Sequence, residues 1–171
     1  MQDDTADETA DGAGDDKTDR GGKPAFDLDH FLPYLLNQAA EATSRSFQAS
    51  YRSRYGMTRT QWRVLANLGR FGAMTASRIC QISHIEKTKV SRSVSALEGE
   101  GLLSRQRSAE DGRAEILSLT DKGRGIFDDL GQHALTYDRT LRGMLGEEQA
   151  RELDRLLRLL AAQSAEDEAE D

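Results

Sequence analysis

Apolar residues recur at helical spacing along most of the chain between positions 30 and 160, and give way only once to short alternating runs. Phe31, Leu32, Leu35, Leu36 and Ala39 share one face of a helix predicted from His30 to about Arg54. Asp29 is its predicted N-cap. Pro33 falls in the first turn, where a missing N–H costs little, and Gly56 stands in the stop position. A second helix opens at Thr58 or Thr60, carries Trp62, Val64, Leu65 and Leu68, and stops near Gly69 to Gly72. Thr75 caps a short third helix with Ala76, Ile79, Cys80 and Ile82 turned inward. A break at Ser83-His84 follows, and a fourth helix runs from about Glu86 to Glu100, closed by Gly101.

The alternating runs come next. Leu102–Arg107 and Ala114–Leu119 read as two short strands, joined by Ser108-Ala109-Glu110-Asp111-Gly112, which supplies turn chemistry with a glycine near its end. Thr120 then caps a long helix bearing Ile126, Phe127, Leu130, Leu135, Leu141 and Leu145. Gly146 breaks it, and a last helix carries Leu153, Leu156, Leu157 and Leu160. Two helices joined by a tight turn and followed by a hairpin make a winged helix-turn-helix. The expected fold is mainly α with a small β-hairpin wing, flanked by N- and C-terminal helices whose apolar stripes a lone wing module is too small to cover. A stripe of that kind marks an interface, here with a second copy.

Charge sharpens the division. The formal net charge of −7 splits into −7 over residues 1–29, −5 over 162–171 and +5 over 30–161, with +4 of the positive part in 56–119. The expected organisation is an acidic disordered tail over 1–27, a dimerisation helix over 28–55, a winged helix-turn-helix over 56–120, dimerisation helices over 121–161 and a second acidic disordered tail over 162–171. The tails imply solubility; a sharper reading has the first compete with DNA for the basic face. No apolar run approaches the ~20 residues of a membrane helix, and no signal-peptide core is present, so a cytoplasmic protein without membrane contact is expected. One cysteine excludes an internal disulfide framework and a Cys-based zinc site within one chain.

On the fourth helix Val90, Val94 and Leu97 share the inward face. Thr88, Lys89, Arg92 and Ser95 point the other way, flanked by Lys87 and Ser91, with no acid until Glu98. Such a surface suits a major groove: Arg bonds guanine bidentately, Ser and Thr reach bases or phosphates, and Lys neutralises phosphate. Arg105, Arg107 and Arg113 cluster around the wing, which is of a size to reach the adjacent minor groove. Asp111 is placed to hold Arg113 in one orientation. Lys87, Thr88, Lys89, Ser91, Arg92, Arg107 and Arg113 are therefore the candidate DNA contacts.

These residues resemble the multiple-antibiotic-resistance regulator (MarR) family over about residues 30–160. The resemblance rests on Lys87-Thr88-Lys89-Val90-Ser91-Arg92, on Leu97-Glu98-Gly99-Glu100-Gly101-Leu102-Leu103, and on Asp111-Gly112-Arg113 followed by a strand ending Leu119-Thr120, with Gly123 three residues on. His84 departs from it, since relatives usually carry Gly or a small residue in that turn. The resemblance implies a homodimer whose first and last two helices form the dimerisation domain. It places each fourth helix in the major groove of one half-site of an inverted repeat. It further implies a repressor that leaves DNA when a small molecule binds between the dimerisation and reading regions. His30, Tyr34, Asn37, Trp62 and His133 are the residues here that would line such a pocket, a mixture suited to a small aromatic acid or its thioester.

Nothing in the chain reads as catalytic, and no cofactor or metal is implied. His30, His84 and His133 lie in three different elements, with no carboxylate or cysteine at a spacing that points to a metal or a triad. Cys80 invites a redox reading, because one branch of the resembled family senses peroxide. That branch carries its reactive cysteine near the start of the first helix, whereas Cys80 sits among apolar residues of the third, where a structural thiol is expected. An activator or dual regulator of the same fold is the alternative to a repressor, since that choice depends on operator position.

Overall fold

The computed structural model describes residues 26–107 and 114–170, with backbone alone for 163–170. The chain divides into two compact units, one ending at Ala42 and the other beginning at Thr43.

In the first unit a 3-10 turn (Leu28–His30) precedes α1 (Leu32–Tyr55), which continues past the division. Asp29 does not cap this helix. Its own N–H donates to Asp27 Oδ1 at 3.0 Å, and Asp27 also holds His30 Nδ1 at 2.9 Å. An aspartate two residues ahead of a free amide makes this local turn readily, and the helix begins beyond it. Phe26, Phe31, Leu32 and Leu35 are exposed.

The second unit holds the main core. Thr58 caps α2 (Arg59–Phe71) in a reciprocal box: Thr58 N–H donates to Gln61 Oε1 (2.7 Å) and Gln61 N–H donates to Thr58 Oγ1 (3.3 Å). Thr75 caps α3 (Ala76–Ser83), and α4 (Lys87–Gly99) follows the turn. Val64, Leu65, Leu68, Ile79, Val90, Val94, Leu97, Leu117 and Leu130 are buried together, at roughly 1.5–3 kcal/mol for each large side chain.

Three strands make the sheet, in the order β1-β3-β2 and antiparallel throughout. β2 (Leu103–Arg107) and β3 (Glu115–Leu119) are the expected hairpin, each one residue shorter at its start. β1 (Met74–Thr75) was not expected. It pairs Met74 with Leu117 across more than forty residues of chain, and two residues carry no alternation to read.

Thr120 caps α5 (Asp121–Leu145), and Gly146 turns the chain into α6 (Glu147–Glu170). The tail expected to be disordered from 162 is instead helical to Glu170. Its charge argued for disorder, but Gln, Ala and Glu are strong helix formers that extend a helix already nucleated. Leu153, Leu156 and Leu157 along α6 remain 40–45% exposed. No helix among the described residues is long and apolar enough to cross a membrane.

Candidate nucleic-acid interface

The reading helix is held by its ends. At the N-terminal side, α3 stops because His84 adopts a left-handed conformation (φ 49°), the one positive φ among described non-glycine residues. That conformation costs an L-residue about 1–2 kcal/mol. Arg63 on α2 reaches across to donate from Nη2 to the Ser83 carbonyl at 2.6 Å, covering the end of α3. Burial there, and secondarily the charge of Arg59, lower the pKa of that guanidinium. Ser83 Oγ donates back to the Ile79 carbonyl. The Ile85 N–H donates to the Cys80 carbonyl at 3.3 Å, and α4 starts two residues later with no side-chain cap.

At the other end, Leu102 N–H donates to Leu97 O (2.8 Å), Thr120 Oγ1 to Gly101 O (2.8 Å) and Lys122 Nζ to Glu100 O (2.8 Å). Here α5 approaches the backbone of Leu102 so closely that a Cβ at Gly123 would collide with the Leu102 carbonyl. Both ends of α4 are thereby tied to elements that the core fixes.

Between these ends α4 turns Val90, Val94 and Leu97 into the core and Lys87, Thr88, Lys89, Ser91, Arg92 and Ser95 to solvent. Ser93 is buried beside them. Lys89 Nζ lies 3.1 Å from Glu86 Oε2, an exposed pair of small energetic weight. Lys87 and Arg92 meet no carboxylate among the described residues. Arg107 is exposed at the end of β2, also without a carboxylate partner among them. Asp111 and Arg113 lie outside the described residues.

Arg105, one of the three arginines around the wing, is bonded within the fold. Its Nε donates to Glu98 Oε2 on α4 (2.8 Å), its Nη1 to Glu115 Oε2 on β3 (3.0 Å) and its Nη2 to Ser95 Oγ on α4 (3.2 Å). The hydrogen bond to Glu115, followed by that to Glu98 and the charge of both carboxylates, holds its pKa above the usual value against a modest desolvation. The partners stand seven and ten residues away, so no local pattern marked them.

The residues expected to line an effector pocket are divided. His30, Tyr34 and Asn37 belong to the first unit, where His30 pairs with Asp27 and Tyr34 accepts from Gln38 Nε2 at 2.7 Å. Trp62 and His133 belong to the second. Trp62 stacks on Tyr51 at 6.1 Å between centroids and lies 5.8 Å from Phe47, so it forms part of an aromatic cluster at the core's edge. His133 stands 3.9 Å from Asp129, which also accepts from Tyr55 at 2.8 Å. That phenol's pKa is raised, chiefly by the hydrogen bond. Cys80 is half-buried and packs against the core. Among the described residues no three His, Cys, Asp or Glu side chains gather to hold a metal ion.

Residues 55–114 match the MarR family. The chain is 24% identical over 136 residues to the uncharacterized HTH-type transcriptional regulator YwoH of Bacillus subtilis, covering 80% of this chain and 98% of that one. Its fold superposes on the MarR family transcriptional regulator SPO1453 of Silicibacter pomeroyi with a TM-score of 0.71 and 29% identity, over 81% and 98% of the two chains. It also superposes on BpsR of Bordetella bronchiseptica, whose DNA binding is regulated by 6-hydroxynicotinic acid. There the TM-score is 0.71 and the identity 21%, over 80% and 97% of the chains.

Proposed function

We propose that the chain, whose residues 55–114 match the MarR family, acts as a homodimeric DNA-binding repressor, released from a pseudo-palindromic operator by a small aromatic acid or thioester. The observation that carries the reading is the outward face of α4. Lys87, Thr88, Lys89, Ser91 and Arg92 are all exposed on a helix whose opposite face is fixed in the core. Arg92 reads a base edge, Lys87 and Lys89 neutralise phosphates, and Thr88 and Ser91 bond to bases or backbone. Arg107 and Arg113 enter the flanking minor groove, with Asp111 orienting Arg113.

The exposed leucines of α6 support a second copy as partner. Two-fold symmetry then calls for half-sites about 34–36 Å apart. The effector reading draws on the aromatic acid that regulates BpsR. Release is a population shift: the effector must favour a dimer whose two α4 helices are wrongly spaced for successive major grooves. The site of action is the cytoplasm, where the DNA is.

A gel-shift on the DNA flanking the protein's own coding region, with a panel of aromatic acids and their thioesters added, tests both halves. Retardation of one fragment, reversed by one class of acid, is the expected result. Retardation that no competitor DNA discriminates would overturn sequence-specific binding. A specific shift that no member of the panel reverses would overturn the effector class while leaving DNA binding in place.

A further inference from the structure

We propose that Arg105 is a positioning residue for DNA recognition, a three-way staple that sets the angle between the reading helix and the wing. The inference rests on the reading above, in which α4 and the wing enter adjacent grooves.

Arg105 stands on β2 with its guanidinium shared among three acceptors on two other elements: Glu98 and Ser95 on α4, and Glu115 on β3. Its side chain is 28% exposed, well below those of Glu98 (41%) and Glu115 (56%), so it lies beneath its partners rather than over them. The planar fork matters, because its donors are fixed relative to one another and each bond constrains the other two. Ser95 belongs to the outward face of α4 that also carries Arg92, while Glu115 is the cross-strand neighbour of Arg107. The staple therefore joins the residue next to the major-groove cations with the residue next to the wing cation.

Glu115 lies opposite Arg107 in register, yet its carboxylate goes to Arg105. Arg107 has no carboxylate partner among the described residues. One guanidinium also offsets two carboxylates that would otherwise repel phosphate. Charge and position make different forecasts, and variants separate them. Glu98→Ala removes a negative charge near DNA: electrostatics alone calls for tighter binding, positioning for a wing that is no longer held. Arg105→Lys keeps the positive charge but replaces the fork by a single ammonium.

The test is footprinting of the full-length protein on the fragment it retards. Hydroxyl radicals report the minor groove and dimethyl sulfate reports guanine N7 in the major groove, both at saturating protein. Wild type is expected to protect both. Arg105→Ala is expected to bind about tenfold more weakly, equivalent to one charge-assisted contact. It should keep the guanine protection and lose the flanking minor-groove protection. Arg105→Lys and Glu98→Ala should lose the same flanking protection while unfolding within a few degrees of wild type.

Full flanking protection in Arg105→Lys or in Glu98→Ala overturns the staple, since charge alone would then suffice. Equal loss of both footprints in Arg105→Lys overturns it as well, because the effect would not be confined to the wing. Absence of flanking protection in wild type overturns the minor-groove reading of the wing, and this inference with it.

Discussion

Alanine at Gly123 and alanine at Gly125, two positions apart in α5, should move stability in opposite directions. In either place alanine gains about 0.8–1.0 kcal/mol of helix propensity over glycine. At Gly125 nothing lies within 4 Å of the added methyl, so the gain stands and the folded state is favoured by about 0.4–1 kcal/mol. At Gly123 the methyl is driven into the Leu102 carbonyl, which already accepts the Thr120 N–H at 3.1 Å. A backbone oxygen cannot swing aside as a side chain does, so the first turn of α5 or the chain at Leu102 must move. Overpacking of this kind costs about 1–3 kcal/mol. Displacing the turn also loosens the cap from Gly123 N–H to Thr120 Oγ1, 3.1 Å long, at about 0.5–2 kcal/mol. Against the propensity gain this leaves a net loss of about 0.5–4 kcal/mol. Urea unfolding followed by circular dichroism measures both variants, at one fixed protein concentration because the midpoint of the proposed dimer depends on it. Shifts of the same sign would refute the close approach that anchors the root of the wing.

Arg92→Ala should weaken operator binding by about 1–3 kcal/mol and relax preference at one base pair, whereas Lys89→Ala should weaken all sequences alike and lower the salt slope by about one; salt titrations on operator and scrambled DNA distinguish them. Thr58→Ala should destabilise by about 0.5–2 kcal/mol through loss of the box with Gln61, read from the urea midpoint. His84→Gly should raise that midpoint slightly, because relief of about 1–2 kcal/mol of left-handed strain exceeds the roughly 0.5–1 kcal/mol of extra chain entropy. Cys80→Ser should leave DNA release by peroxide no different from wild type, which a gel-shift with and without oxidant checks.

Much of the fold is legible in the sequence because its signals are local. Thr75 and Thr120 stand where the apolar period begins, and each accepts from the N–H three residues on. The inward face of α4 follows from Val90, Val94 and Leu97 alone. What escapes is what depends on distant chain. β1 exists only because β3 offers an edge to Met74 and Thr75, and Gly123 matters only because Leu102 lies against it. At the end of α6 charge points to disorder while the helix propensity of Gln, Ala and Glu extends the helix to Glu170. At the candidate interface, residue type identifies the exposed cations, but only geometry shows that Arg105 is bonded to Glu98, Ser95 and Glu115 within the fold.

The chain has one tryptophan, and its place among Phe47 and Tyr51, with Tyr137 beyond at 5.4 Å from Phe47, makes it a built-in optical gauge. Those rings come from the end of α1, from α2 and from α5, and none belongs to the exposed face of α4 or to the wing. Emission from Trp62 therefore reports the seam between long helices and reading module without any label, free of direct quenching by stacked bases. A docking event that leaves the module rigid is dark at this wavelength, while one that respaces the two reading helices of the proposed dimer shows as a change in colour or intensity.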